Sequence, residues 1–302
     1  MEFKSIFDFI RTVPDEASCI QYLEEIRWAG NVISPFDETS KVYKCANNKY
    51  KCKNTGLYFN VRTGTIFESS KIELTKWFMA LYIFSSRKKG ISSYQLAKDI
   101  SITQKSAWFL LHRLRYMFNH PSFKELLSGE VEVDETYIGG KSQNKHKSKR
   151  INMNAKGENN PKTPVVALLQ RDGNVMAGTV RITDSETLKG IIYKNVGLGS
   201  SIITDSARQY HGLQGSFQHS IVNHNMDEYV VGKKHTNSVE GFFSHLKRTL
   251  IGTYHFASKK HLQAYVTEVV MRFNTRKIST NSRFDFSLTN MENRLTYKML
   301  IA

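Results

Sequence analysis

The chain has 302 residues, 40% of them hydrophobic and 12% aromatic, enough for one large domain with one or two small ones and for well-filled cores. Its 43 Lys and Arg outweigh 27 Asp and Glu to give a formal charge of +16, which favours a polyanionic partner, because each cation placed on a phosphate releases condensed counterions. The longest apolar run, Trp77 to Phe84, falls well short of the roughly 20 residues of a bilayer-spanning helix, so no membrane span is expected.

The opening stretch MEFKSIFDFIRTVPDEASC mixes acids into its apolar positions and does not read as a secretory signal. Three cysteines, Cys19, Cys45 and Cys52, are too few and too oddly numbered for a disulfide framework. A reducing compartment fits, and the expected location is cytoplasmic, associated with the nucleoid.

Apolar residues at helical spacing (Phe3, Ile6, Phe7, Ile10, then Ile20, Leu23, Ile26), interrupted at Pro14, predict a short helical pair up to about residue 30. Segment 31–67 alternates like a small β ribbon. Its lone Cys45 and Cys52, with no CxxC pair, make a metal-free ribbon, without zinc as a cofactor, the expectation. Residues 71–118 are helical, and KKGISSYQLAKDISITQKSAWFLLHRLRYMF carries a helix-turn-helix pattern in which Thr103 caps the second helix. That helix buries Ala107, Leu110, Leu111 and Leu114, leaving Gln104, Lys105, His112, Arg113 and Arg115 for solvent or DNA. Any three-helix bundle could share this pattern; the net charge favours DNA.

From residue 131 the period shifts from helix to strand. Strands are predicted at 131–138, 164–171, 174–183 and 201–205 and near 217–223, with helices at 185–195, about 236–250 and 258–276. Three antiparallel strands followed by alternating helix and strand describe an α/β mixed sheet covered by helices. The expected domains are 1–67, 68–125 and 126–302, the last interrupted by a basic, aperiodic loop at 141–162.

Three acids stand in three different local contexts. Period-two alternation puts Asp134 on one strand face with Glu132 and Thr136, in a strand where a lone carboxylate is costly unless paired or metal-bound. Asp205 emerges at the carboxyl end of the apolar run SIITD, where α/β sheets place ligands, although alone it could equally cap the turn after it. Glu240 shares a helix face with Asn237, Ser244 and Lys247, opposite the burying side of Val239, Phe242, Phe243 and Leu246. Carboxylates converging from separate elements call for a cation between them, Mg²⁺ or Mn²⁺.

The blocks VEVDETYIGGK, SIITDSARQY and HTNSVEGFFSHLKRTLIGTYHFASKKHLQAYVTEVVMRFNTR, with TGTIFESSKIELTKWF and the helix-turn-helix stretch before them, resemble the DDE insertion-sequence transposases of the ISXO type, relatives of the Merlin superfamily. The resemblance covers nearly the whole chain. It implies an RNase H-like catalytic domain preceded by a degenerate ribbon and a helix-turn-helix region. Asp134, Asp205 and Glu240 would hold two metal ions, Asn237 would be a reserve ligand, and Lys247 would contact DNA near the cut. The family's paired CxxC motifs are replaced here by Ser34-Pro35-Phe36-Asp37 and Cys52-Lys53-Asn54-Thr55.

The implied reaction is cleavage at the ends of an element followed by joining of 3′ ends to target DNA. Lys105 and Arg113, the loop cations Lys145, Lys147, Lys149 and Arg150, and the cluster Lys247, Arg248, Lys259 and Lys260 are the expected DNA contacts. Because two ends must be held together, a homodimer or larger assembly on double-stranded DNA is expected. The competing readings are a nuclease on the same fold that never joins ends, and a transposase-derived DNA-binding regulator.

Overall fold

In the computed structural model, which describes residues 3–118, 125–140, 146–147, 162–222, 235–292 and 294–302, Pro14 separates two N-terminal helices, α1 (Ile6–Thr12) and α2 (Glu16–Trp28). Each starts on a side-chain cap: Ser5 accepts the Asp8 N–H at 3.1 Å and Asp15 accepts the Ser18 N–H at 2.8 Å. Contacts divide the chain into two units, Met1–His120 with Lys277–Ala302, and Pro121–Arg276.

In the first unit the ribbon forms as expected, a three-stranded antiparallel sheet of β1 (Val42–Cys45), β2 (Lys49–Cys52) and β3 (Tyr58–Phe59). Aromatic packing closes it, with the rings of Trp28 and Tyr50 5.2 Å apart and those of Tyr50 and Phe59 5.7 Å apart. Cys52 is fully buried, and although burial alone would raise its thiol, the hydroxyls of Ser34, Ser40 and Thr55 pull it down to about 6. Ser34 and Thr55, two of the positions where a CxxC pair would place cysteines, thus serve as hydrogen-bonding partners of the remaining thiol.

Next come α3 (Leu74–Ser86), α4 (Ser93–Asp99) and α5 (Gln104–Met117), the last two packed together across a short turn in which Ser101 takes φ 51. Thr103 caps α5 as read, accepting the Ser106 N–H at 3.2 Å. The polar side of α5 differs from the reading. Lys105 is exposed, its ammonium 5.6 Å from the centre of the Tyr297 ring, but His112, Arg113 and Arg115 are buried. Arg113 lies over the Phe109 ring and donates to the carbonyls of Leu295 at 3.0 Å and Ile66 at 2.8 Å, so it is a core strut and not a DNA contact. Arg113→Ala should therefore lower stability by roughly 3 kcal/mol in chemical denaturation, by leaving two buried carbonyls unpaired, and leave the salt dependence of DNA binding unchanged.

The second unit holds β4 (Glu130–Ile138), β5 (Thr163–Gln170), β6 (Val175–Thr179), α6 (Ser185–Asn195), β7 (Ser201–Asp205), β8 (Gln218–Val222), α7 (Asn237–Thr249) and α8 (Leu262–Asn274). The sheet order is β6-β5-β4-β7-β8; β4, β7 and β8 run parallel, while β5 is antiparallel to both β4 and β6. This is the mixed sheet expected of an RNase H-like domain. One face packs on α6 through Val131, Val133, Val166, Leu168 and Ile202 against Leu188 and Ile192. The other packs on α7 and α8 through Val165, Ala167 and Leu169.

The C-terminal helices α9 (Thr280–Thr289) and α10 (Tyr297–Ile301) depart from the expected domain division, which kept everything after residue 126 in the catalytic domain. They belong to the first unit, where α9 packs on α2 and α3. Phe284 is fully buried, its ring 5.4 Å from Phe3, 5.5 Å from Phe9 and 5.7 Å from Phe78. The aromatic face of the N-terminal helices is completed from the far end of the chain.

Candidate active site

The alternation of β4 decides which side chains meet α7. Val131 and Val133 fill the core on the α6 side, which leaves Glu132, Asp134 and Thr136 on the face where α7 and α8 lie. Parallel pairing sets Val131 opposite Ile202 and Glu132 opposite Ile203. The recorded pairing ends there; the same offset carried two residues further would set Asp134 level with Asp205, the last residue of β7, whose charge acts on Asp134.

Glu132 fixes the helix above them. It is fully buried, and one carboxylate oxygen accepts the N–H groups of Ser238 at 2.9 Å and Val239 at 3.0 Å, in the first turn of α7. Thr236, at the N-cap position, makes no capping bond to the backbone, so a strand residue caps the helix in its place and meets the positive end of its dipole. The other oxygen takes Arg171 Nε at 2.9 Å; the same guanidinium reaches Glu130 at 2.5 Å and the His235 carbonyl at 3.0 Å. Val239, Phe242, Phe243 and Leu246 then bury the underside of α7, each contributing about 1.5–3 kcal/mol.

Glu240 therefore sits in the first turn of a helix locked to the strand that carries Asp134. Burial, joined by the charges of Glu135, Asp205 and Glu240, pushes the Asp134 carboxyl up to about 7. Asp134 accepts the N–H of Glu135 at 2.7 Å, which opposes part of that rise. Asp205 accepts the Ala207 N–H at 3.1 Å, so its turn-capping reading holds alongside its place beside Asp134.

Glu135, not singled out in the sequence, is also in this field. Burial first, and the charge of Asp205, raise its carboxyl, against a hydrogen bond from the Tyr210 hydroxyl at 2.5 Å. Tyr210 is fully buried, and burial together with Glu135 keeps its phenol protonated.

The donor set is carboxylate oxygen, the chemistry of Mg²⁺ or Mn²⁺, and its mutual repulsion is what a cation would relieve. Among the described residues, no three acids, histidines or cysteines stand close enough to hold an ion. The acids share an electrostatic field without forming a closed ligand shell.

Residues 126–274 match the family described as ISXO2-like transposase domain. Over 276 residues the chain is 26% identical to an uncharacterized protein in the transposable element ISH50 of Halobacterium salinarum, covering 87% of this chain and 92% of that protein. The second unit of the chain is similar to an ISXO2-like transposase domain. Among solved structures, the Mos1 transposase paired-end complex with left transposon end is 10% identical with a TM-score of 0.25, over 74% of this chain and 81% of that one. The Mos1 mariner paired end complex with Mn is 10% identical with a TM-score of 0.26, over 74% and 77%. Likeness so slight carries no argument here.

Asn237, Glu240, Ser244 and Lys247 form an exposed stripe on α7, as their spacing implied. Arg248, Lys259 and Lys260 are exposed in the same unit, and so is Lys147. Lys145, Lys149 and Arg150 lie outside the described residues. The alternation that exposed Asp134 also put Glu132 on its face, but only the fold shows that Glu132 is spent on holding α7.

Proposed function

We propose that this transposase cuts DNA at the ends of its element and joins the 3′ ends to target DNA, with Asp134, Asp205 and Glu240 as the acids of the reaction centre. The observation that supports it most is the placing of Asp134 beneath a helix clamped by Glu132, where the charges of Asp205 and Glu240 both raise its carboxyl. Asp134 and Asp205 would hold divalent ions, with Glu240, or Asn237 in its place, as the third donor. When bound, such ions would activate the attacking water or 3′-hydroxyl and stabilise the leaving oxygen.

The chain's own residues place and confine the substrate. Lys247, two helical turns beyond Glu240, would take a phosphate near the cut, and the exposed cations Lys105, Lys147, Arg248, Lys259 and Lys260 would track the backbone. The pairing of α4 and α5 would serve as a helix-turn-helix reader of the element's ends, with a homodimer or larger assembly holding two ends together.

The test is to incubate the purified chain with a duplex carrying the element's end, with Mg²⁺ or Mn²⁺ or with chelator. Ion-dependent nicking is expected, and no nicking under any condition would refute the reading. Pre-cleaved ends supplied with a target plasmid should give joined product; hydrolysis without joining would leave only a nuclease.

A further inference from the structure

α7 ends irregularly. Its last turn widens into a π-helical turn, Leu250–Tyr254, and His255 follows at φ 60 and ψ −41, a conformation that residues with a Cβ rarely adopt. The turn is anchored from within: Leu250 is buried in the core of the α7–α8 face, with Ala257 packed against that core. The Tyr254 hydroxyl donates to Glu268 at 2.6 Å, and Glu268 is itself buried in an ion pair with Arg272 at 2.7 Å. His255 Nδ1 lies 3.0 Å from the Ile251 carbonyl. This firmly held turn presents apolar side chains to water: Ile251 is 70% and Phe256 78% exposed.

Folding gains nothing from an apolar ring held in solvent by a strained, well-anchored turn, so the arrangement points to a ligand. The surroundings select its chemistry. Lys247 and Arg248 precede the turn and Lys259 and Lys260 follow it, all exposed. An aromatic ring set among cations matches stacked bases between phosphates, where aromatic faces stack on bases and cations neutralise the backbone. Ile251 lies three helical turns beyond Glu240, about 16 Å along the axis at 1.5 Å per residue. That length spans about five base-pair steps.

We propose that the π turn is a DNA wedge, in which Phe256 stacks on or between bases, with Ile251 set about five steps from the phosphate attacked beside Glu240. The placement rests on the transposase reading above; the stacking itself does not need cleavage. Aromatic insertion unstacks a base locally, so it is visible without any reaction.

The experiment uses the full chain, in chelator, with mixed-sequence duplexes carrying 2-aminopurine at successive positions. Wild-type protein should raise the fluorescence of the analogue. Phe256→Ala should weaken binding about tenfold, leave the salt slope unchanged and abolish the rise, and Phe256→Trp should restore both. Lys259→Ala should instead reduce the salt slope. Ile251→Ser is a second, independent variant, and thermal melts should match wild type because both side chains are exposed. Phe256→Ala binding and reporting like wild type would overturn the wedge, as would a Phe256 effect confined to anionic lipid vesicles. If the same preparations cut DNA, that failure is the wedge's alone. If they cut nothing yet the Phe256 effect persists, the wedge stands and the catalytic reading falls.

Discussion

Asp134→Asn should abolish DNA cleavage and, in chelator at neutral pH, raise the melting temperature of the protein. The first effect follows, on the proposed function, from removing a charge that a divalent ion would need, with a loss of roughly a hundredfold or more, while binding to the same duplex stays near wild type. The second follows from the sign of the shift. The carboxyl titrates at its ordinary value near 3.8 in the unfolded chain and at about 7 in the fold. Below the lower value both states are protonated and the residue costs nothing. As pH rises towards the upper value the unfolded chain ionises first, so stability falls, and above it the penalty is constant. The amide removes that penalty, a gain on the order of 2–4 kcal/mol at pH 8 and almost none at pH 4. Adding Mg²⁺ should stabilise wild type and not the variant. Asp205→Asn should also lose cleavage while still binding DNA. Equal loss of binding and cleavage would contradict the assignment, and an unchanged melting curve would deny the strain at Asp134.

Glu132→Ala should be the most damaging single change in the catalytic unit. It takes from the half-buried Arg171 its fully buried partner, leaving the exposed Glu130, and strips two N–H groups at the head of α7 of their acceptor. Two unpaired N–H groups and a weakened charge pair together cost roughly 2–4 kcal/mol, which denaturant titration would read directly. Glu132→Gln, which keeps an acceptor for α7, should recover part of the stability. If Glu240 serves in the proposed reaction centre, the glutamine variant, which holds the head of α7 less firmly, should cut DNA more slowly while its affinity for the duplex is unchanged. A glutamine variant with full stability and full activity would show that the clamp is dispensable.

Much of the catalytic unit was legible from pattern alone. The helix at 185–195 and the strand at 201–205 have the bounds expected, and β4 starts one residue early, because strict alternation and a clean apolar run are strong local signals. The facing of Glu132, Asp134 and Thr136 followed from the same alternation. What those side chains touch did not: Glu132 meets the start of α7 across more than a hundred residues of chain, and Glu135 finds Tyr210 in a turn whose path no periodicity describes. The misreading of Arg113 has the same root. A helical wheel distinguishes polar from apolar sides, but here the polar side is closed by Ile66 and Leu295, segments from opposite ends of the sequence. Nor could local spacing tell that residues 277–302 complete the N-terminal core.

That last feature orders events on the ribosome. The catalytic unit is one uninterrupted stretch and can close as soon as Arg276 has emerged. Phe3, Phe9 and Phe78, by contrast, must wait for Phe284, so the part of the chain synthesised first is the part finished last. Until Phe284 has emerged, a nascent chain carries an unsealed aromatic surface in its first unit, and a truncation that removes α9 should injure the beginning of the protein before it injures the middle.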